Sequence, residues 1–161
     1  MAIGLSGTTL GIVGLGRLGA AVARIGSLAF GMKTKCWSAS LDLAKADEMA
    51  TKLGLPLQDA GGNKTFQAVS KEELFATADV VSLHYVLSDR SRGIIGAREL
   101  AAMKSSALLV NTSRGALIDE TALVEATTKG SIRGVALDVF EMEPLPADSP
   151  WRSQDWGKGG K

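Results

Sequence analysis

The stretch GIVGLGRLGAAVARIG, residues 11–26, decides the fold of this 161-residue chain. Three of its glycines have the G-x-G-x-x-G spacing, and they follow the short apolar run TLGIVG, which predicts a β-strand. The stretch therefore predicts a strand, a glycine turn and a helix, an arrangement that binds the pyrophosphate of a dinucleotide at the helix N-terminus. The apolar residues that recur at helical spacing after the turn are Leu18, Ala21, Val22, Ile25, Leu28 and Ala29.

Each glycine of the turn has its own physical role in this prediction. Gly14 permits the tight turn, Gly16 lets the backbone approach a pyrophosphate, and Gly19 lets the helix pack closely on the strand. Arg17 and Leu18 start the helix, and we expect both to contact the cofactor. A turn in which the glycines are merely structural is the alternative.

The second predicted strand, KTKCWS from Lys33, ends where a dinucleotide fingerprint expects an acidic residue for the adenosine ribose. Ser38 occupies that position, and Asp42, four residues later, is expected to cap the next helix. Ser38 and Ser40 can hydrogen-bond ribose hydroxyls or a 2′-phosphate, but no arginine accompanies them. The sequence therefore leaves both NAD and NADP as candidate cofactors.

Alternating strand and helix patterns continue along most of the chain. The strand patterns are continuously apolar, which is typical of a parallel sheet covered by helices on both faces. We therefore predict a Rossmann-type, doubly wound, three-layer α/β/α fold in one domain over residues 5–150, followed by an irregular tail over 151–161. Strands are predicted at 9–14, 33–38, 66–69, 79–84, 107–113 and 134–140, and later helices at 41–53, 70–78, 96–104 and 119–130, with a capping-box spacing at Ser70 and Glu73.

Composition excludes several classes of function. Eighteen Lys and Arg against 17 Asp and Glu give a net charge of +1, without the basic excess typical of nucleic-acid-binding proteins. The single cysteine, Cys36, and the single histidine, His84, form neither an internal disulfide nor a Cys/His zinc site. No apolar run approaches the roughly 18 to 20 residues of a membrane span. We expect a cytoplasmic protein with no metal, membrane or nucleic-acid partner.

Polar residues follow the later strands, at the sheet edge where ligands of open α/β proteins bind. In NTSRGALID, residues 111–119, the guanidinium of Arg114 suits a carboxylate or carbonyl oxygen, with a surface ion pair as the alternative. We expect Thr112 and Ser113 beside it, and Val86 after the strand DVVSLH, to contact the cofactor. His84 is expected to be a hydrogen-bonded residue at a strand end.

The last strand brings acidic residues to the same edge. In LDVFEMEPLP, Asp138 ends the strand, and Glu141 and Glu143 follow it. Acidic residues before proline are often simple turn formers, and their spacing alone favours that interpretation.

Together these motifs resemble a known family. GTTLGIVGLGRLG, ADVVSLH, LLVNTSRGALIDETALVEA and GVALDVFEMEPLP, in this order, are similar to the cofactor-binding domain of the D-isomer-specific 2-hydroxyacid dehydrogenases, which include phosphoglycerate, glycerate and D-lactate dehydrogenases. The resemblance covers about residues 5–150. It implies an oxidoreductase that transfers hydride between NAD or NADP and a small 2-keto or 2-hydroxy acid.

The resemblance also implies roles for individual residues. Arg114 would bind the substrate carboxylate and carbonyl, and Asp138 would contact the nicotinamide side. Glu143 would pair with a catalytic histidine and raise its pKa, while Glu141 would have no role. The family's catalytic histidine stands in a later segment, and His84 matches a different family position. We therefore expect these 161 residues, which lack that histidine and the substrate domain, to bind cofactor with little turnover.

Two other functions are compatible with the motifs. Related transcriptional corepressors imply a non-catalytic, dinucleotide-sensing dimerisation module, and family members commonly form homodimers through this domain. A flavin or S-adenosylmethionine site suits the glycine turn but leaves Arg114 and Glu143 without a role.

Overall fold

The computed structural model describes residues 4–59 and 61–153. In this part of the chain, six strands form one sheet in the order β3-β2-β1-β4-β5-β6, and every neighbouring pair is parallel. The chain starts in the middle of the sheet and winds to both edges, which confirms the Rossmann-type fold. The strands are β1 (Thr9–Val13), β2 (Lys33–Trp37), β3 (Gln67–Ala68), β4 (Val80–Leu83), β5 (Leu108–Asn111) and β6 (Gly134–Leu137).

Helices connect the strands at the predicted places. One difference lies at the C-terminal end, where a short helix begins at Pro150, although the sequence predicts an irregular tail over residues 151–161. Residues 154–161 of that tail lie outside the described part. The helices are α1 (Arg17–Phe30), α2 (Leu43–Lys52), α3 (Lys71–Thr77), α4 (Ala97–Ala102), α5 (Glu120–Thr128) and α6 (Pro150–Ser153), with a 3₁₀ turn at Gly115–Leu117.

Two buried clusters form the core, because neighbouring residues of a strand point to opposite faces of the sheet. Ile12 belongs to the cluster that also contains residues of α1 and α2, and Val13 belongs to the cluster beneath α3, α4 and α5. Both layers are therefore anchored on the central strand β1, whose carboxyl end carries the glycine turn.

Local capping explains where several helices begin. Asp42 and Asp119 accept hydrogen bonds from backbone amides three residues later, at 2.8 and 3.0 Å. Ser70 caps α3 by accepting from the Glu73 amide at 3.1 Å. The Glu73 carboxylate, however, contacts Lys35 Nζ at 2.8 Å, so only half of the predicted capping box is confirmed.

Helix α1 packs on the sheet through its small residues, which are Gly19, Ala20, Ala23 and Gly26. Its large apolar side chains lie on the other side: Leu18, Ile25 and Leu28 are 66, 55 and 61% exposed. Small side chains let the helix axis approach the sheet closely. The periodic pattern thus predicts the helix correctly, but Leu18, Ile25 and Leu28 do not enter the core of the described chain, and Val22 packs against it only in part.

Candidate dinucleotide site

The glycine turn between β1 and α1 is held by close backbone contacts. Gly14 has a φ of +98°, and its amide donates to the Trp37 carbonyl at 2.8 Å. A side chain at Gly14 would approach the His84 carbonyl oxygen to 2.6 Å, and one at Gly19 would approach the Gly14 carbonyl oxygen to 2.0 Å. The fold itself therefore requires glycine at both positions.

Gly16 differs from its two neighbours in the motif. Its φ is −85°, a value that any residue adopts, and an added Cβ would meet nothing within 4 Å. Neither the backbone nor the packing of the described residues requires glycine here. The open space lies at the N-terminus of α1, beside the exposed residues Arg17 and Leu18. A pyrophosphate fits there, because without a side chain at position 16 it can contact the backbone amides directly.

A cavity of about 510 Å³ lies beside this turn. Its volume falls within the range of small-molecule sites. Three segments form its walls: the exposed face of α1, the loop after β4 and the loop after β5. It brings together five of the predicted site residues, Leu18, Val86, Thr112, Ser113 and Arg114, with Ala21, Val22, Ile25, His84, Tyr85 and Leu87.

The loop after β5 is shaped by Asn111, whose side chain is buried. Its Nδ2 donates to the Arg114 carbonyl, and its Oδ1 accepts from the Ser113 amide, both at 3.0 Å. Ser113 Oγ also donates to the Tyr85 carbonyl at 2.8 Å, which ties this loop to the loop after β4. Sequence analysis missed Asn111, although a polar residue at the end of a buried strand is a signal for it.

Arg114 presents its guanidinium at the surface of the cavity. Its Nη1 donates to the Ser113 carbonyl at 2.7 Å, and none of the ion pairs among the described residues involves it. The surface ion pair considered as an alternative is therefore not formed in this part of the chain. The remaining donors can bind a carboxylate in a bidentate manner.

The other predicted site residues do not line this cavity. Ser38 follows β2 beside the glycine turn, and Asp138 lies at the end of β6, where its amide donates to the Asn111 carbonyl at 3.0 Å. Glu143 Oε1 accepts from the Phe140 amide at 2.9 Å, and Glu141 lies 3.8 Å from Arg92. One oxygen of the Glu143 carboxylate is thus engaged within its own turn.

His84 lines the cavity, but its ring is partly buried and hydrogen-bonded to a neighbouring side chain. Its Nε2 lies 3.0 Å from Ser82 Oγ, and burial lowers the pKa of the imidazole. The ring is therefore neutral at neutral pH, as expected for a hydrogen-bonded residue at a strand end.

Tyr85 is a second residue that sequence analysis missed. Its ring stacks on Trp37 with a centroid distance of 5.9 Å, and its hydroxyl accepts from the Ala39 amide at 3.2 Å. Tyr85 therefore connects the turn after β2 with the loop after β4. No sequence pattern relates residues 37 and 85, because only the sheet order places their strands on either side of β1.

The described residues contain neither a metal-binding cluster nor a membrane-spanning helix. No group of three or more His, Cys, Asp or Glu side chains there has the arrangement of a metal site. None of the described helices is long and apolar enough to cross a membrane. Cys36 is buried, and burial raises the pKa of its thiol, so the thiolate nucleophile is disfavoured.

Replacing Asn111 tests its role in shaping the loop. Asn111→Leu leaves the Ser113 amide unpaired and removes the side-chain donor to the Arg114 carbonyl, which still accepts from the Leu117 amide at 3.2 Å. We therefore expect the free energy of unfolding to fall by about 2 kcal/mol. Urea denaturation measures the change. Asn63→Ala is the control, because that exposed side chain hydrogen-bonds only Asp59 among the described residues and its loss should cost less than about 0.5 kcal/mol. Equal effects of the two substitutions would contradict the role of Asn111.

Comparison with known proteins assigns the family. Residues 1–156 match the family model described as D-isomer specific 2-hydroxyacid dehydrogenase, NAD binding domain. The chain therefore belongs to this family, as its motifs predict, and corresponds to the NAD-binding domain.

Individual relatives agree with this assignment. The chain is 42% identical to glyoxylate reductase from Aeropyrum pernix over 150 residues, covering 93% of this chain and 40% of that protein. It is also 42% identical over 153 residues to D-3-phosphoglycerate dehydrogenase from Methanocaldococcus jannaschii, covering 95% of this chain and 26% of the relative. The chain thus spans less than half the length of these relatives.

Solved structures show the same fold. A glyoxylate reductase from Paecilomyes thermophila superposes with a TM-score of 0.77 at 38% identity, covering 97% of this chain and 42% of that one. D-lactate dehydrogenase from Aquifex aeolicus, solved with NAD and lactic acid, superposes with a TM-score of 0.72 at 33% identity, covering 88% and 37%.

Proposed function

We propose that this chain binds NAD(H) or NADP(H) as the cofactor domain of a dehydrogenase that interconverts a small 2-keto acid and its 2-hydroxy acid. The observation that carries the proposal is Arg114, which forms no ion pair with another described residue and lines the same cavity as the helix that starts at the glycine turn. A cation at that place provides the anion site that a 2-keto acid needs next to a dinucleotide.

The residues of the site divide between the two ends of the cofactor. The turn from Gly14 to Gly19 holds the pyrophosphate, and Ser38 lies at the adenosine end. Val86, Thr112 and Ser113 contact the cofactor along the cavity, and Asp138 contacts its nicotinamide side. When bound, the nicotinamide supplies or accepts the hydride.

Arg114 binds the substrate carboxylate and polarises the keto group, which favours attack at the carbonyl carbon. The proton comes from a histidine of another segment, since His84 is the only histidine in these 161 residues and is engaged with Ser82. Glu143 pairs with that histidine and raises its pKa, so that it is protonated before the reaction.

The 161-residue chain alone is expected to bind cofactor with little turnover. A positioned proton donor contributes roughly 10²- to 10⁴-fold to the rate, and the second wall of a substrate cleft contributes orientation. We further propose a cytoplasmic location, where a reducing environment suits the single free cysteine.

A non-catalytic, dinucleotide-sensing dimerisation module is the second candidate. Two apolar residues near the C-terminal end of α1 favour it: Leu28 and Phe30 are 61 and 49% exposed and do not line the cavity, so they suit burial against another protein surface. A homodimer is the partner proposed for this function. It predicts a dimer whose formation depends on cofactor.

Titration of the purified chain with NADH and NADPH, followed by tryptophan fluorescence, tests cofactor binding. We expect saturable quenching with at least one of them, because Trp37 directly precedes Ser38. Size-exclusion chromatography with mass measurement, with and without cofactor, then separates the enzyme domain from the dimerisation module. Glyoxylate and hydroxypyruvate, the compounds in the names of relatives, serve as test substrates. A chain that binds neither nucleotide would refute the proposal.

A further inference from the structure

We infer that Ser91, a buried residue outside the cavity lining, is a positioning residue for the nicotinamide half of the cofactor. Its hydroxyl holds the loop segment of Val86 and Leu87 in the shape that the cofactor meets. The inference rests on the proposed function, because it concerns the cavity in which the cofactor is proposed to bind. It adds a residue that contacts neither the cofactor nor the substrate.

The order of the strands assigns this loop to the nicotinamide half. Strands β2 and β4 lie on opposite sides of β1, whose carboxyl end carries the glycine turn. Since the proposed adenosine end is at Ser38, after β2, a dinucleotide that crosses the glycine turn brings its other half to the loop after β4. Val86 and Leu87 belong to that loop, and both line the cavity.

Three successive carbonyl groups hold the first part of the loop. The His84 carbonyl packs against the glycine turn, where an added Cβ would approach its oxygen to 2.6 Å. The Tyr85 carbonyl accepts from Ser113 Oγ at 2.8 Å, and the Val86 carbonyl accepts from Ser91 Oγ, also at 2.8 Å. Each carbonyl thus contacts a different segment of the chain.

The Ser91 hydroxyl is the anchor of the most exposed part of the loop. Val86 is 81% exposed, whereas Ser91 is only 2% exposed. Within residues 4–59 and 61–153, the bond to Ser91 is the only hydrogen bond made by the backbone of Val86 or Leu87. Ser91 Oγ also accepts from the Ser88 amide at 2.7 Å. The hydroxyl therefore joins the residues on both sides of Leu87.

Holding this segment before the cofactor binds has a direct energetic consequence. A loop that is mobile in the free protein loses conformational entropy when a ligand orders it, and this loss weakens binding. A loop that the protein already holds avoids the loss. The Ser91 hydroxyl thus keeps Val86 in place as an apolar wall of the cavity, and its effect is confined to ligands that reach this wall.

Calorimetric titration with two ligands tests the inference. The first ligand is NADH or NADPH, whichever binds the wild type more tightly, and the second is the matching ADP-ribose or its 2′-phosphate, which lacks the nicotinamide ring. We expect Ser91→Ala to bind the first ligand about fivefold more weakly, the factor that corresponds to one net hydrogen bond, and the second ligand as tightly as the wild type does. Ser91→Thr retains the hydroxyl and should restore the affinity.

Thr65→Val is the matched control. Thr65 is 6% exposed, and its hydroxyl donates to the Pro56 carbonyl at 2.5 Å, so it also holds a loop through one buried hydroxyl. That loop connects α2 with β3 and does not line the cavity. Thr65→Val should lower the stability to urea but change neither affinity, which separates the general loss of a buried hydrogen bond from the loss of this loop.

Hydrogen exchange of the ligand-free wild type provides a second measurement that needs no variant. Ser88 and Asp89 are both exposed, but only the Ser88 amide has a hydrogen-bond acceptor within the described chain, namely Ser91 Oγ. After correction for intrinsic rates, we expect the Ser88 amide to exchange about tenfold more slowly than the Asp89 amide. Ser91→Ala should remove this difference.

The outcomes separate the inference from the proposed function. If a folded Ser91→Ala chain binds the dinucleotide as tightly as the wild type, or loses affinity equally for both ligands, the inference is overturned while cofactor binding stands. Equal exchange of the Ser88 and Asp89 amides in the wild type would overturn it as well. If neither NADH nor NADPH binds the folded wild type, the proposed function itself fails. Circular dichroism of each variant establishes that the fold is retained.

Discussion

A Gly16→Ala variant is expected to fold like the wild type and to bind the nicotinamide dinucleotide roughly ten- to hundredfold more weakly, the range that overpacking of a close contact produces. The added methyl group would meet no atom of the described chain, so it projects into the space proposed for the pyrophosphate. Affinity measured by fluorescence titration and stability measured by urea denaturation report the two effects separately.

Gly96→Ala provides the control for the fold. Gly96 also precedes a helix, has an extended φ of −120°, and would place its Cβ 3.8 Å from the nearest side-chain atom. Replacing glycine by alanine at such a cap should cost less than about 1 kcal/mol at either position. If Gly16→Ala bound the cofactor as tightly as Gly96→Ala does, the pyrophosphate would not lie against this backbone.

A Gly115→Ala variant is expected to lose about 3 kcal/mol or more of unfolding free energy, because a backbone must move to accommodate the methyl group. Its Cβ would lie 1.9 Å from the carbonyl carbon of Phe140 and 2.1 Å from the carbonyl oxygen. The segment that would move carries Asp138 and Glu143, so the substitution should also disturb the substrate side of the site. Urea denaturation measures the stability.

Gly134→Ala is the matched control for this prediction. Gly134 lies in β6, and its added Cβ would meet only Leu108 Cδ2, at the ordinary contact distance of 3.6 Å. We expect stability to be unchanged or raised by up to about 1 kcal/mol, since alanine has less freedom in the unfolded chain. A Gly115→Ala chain with the wild-type urea midpoint would show that residues 115 and 140 are not in close contact.

The strands and helices could be predicted because their signals are local. A continuously apolar strand, a helix-capping aspartate such as Asp42 and a glycine turn each depend on neighbours within a few residues. The order of the motifs along the chain then identifies the family without knowledge of any interatomic distance. By the same local signals, Arg114 and Asp138 could be placed at the carboxyl ends of strands.

Contacts between distant segments could not be predicted in this way. The sequence does not indicate that Tyr85 holds the turn of Ala39, or that Asn111 orients the loop of Arg114 through a buried amide. Both depend on the order of strands in the sheet, which brings loops that are far apart in the chain to the same edge. The exposure of the apolar face of α1 could not be predicted for the same reason. Helical periodicity identifies an apolar face, but it does not indicate which other segment, if any, covers that face.

By itself, the sequence determined the doubly wound fold, the family and the turn at residues 14–19, since these follow from local pattern and from motif order. Only the tertiary structure decided why each position is a glycine. A side chain at Gly14 or Gly19 would collide with backbone atoms, whereas one at Gly16 would enter open space. The physical reason is that a glycine motif records where side chains are excluded, and only the surrounding atoms reveal whether the protein or a ligand excludes them.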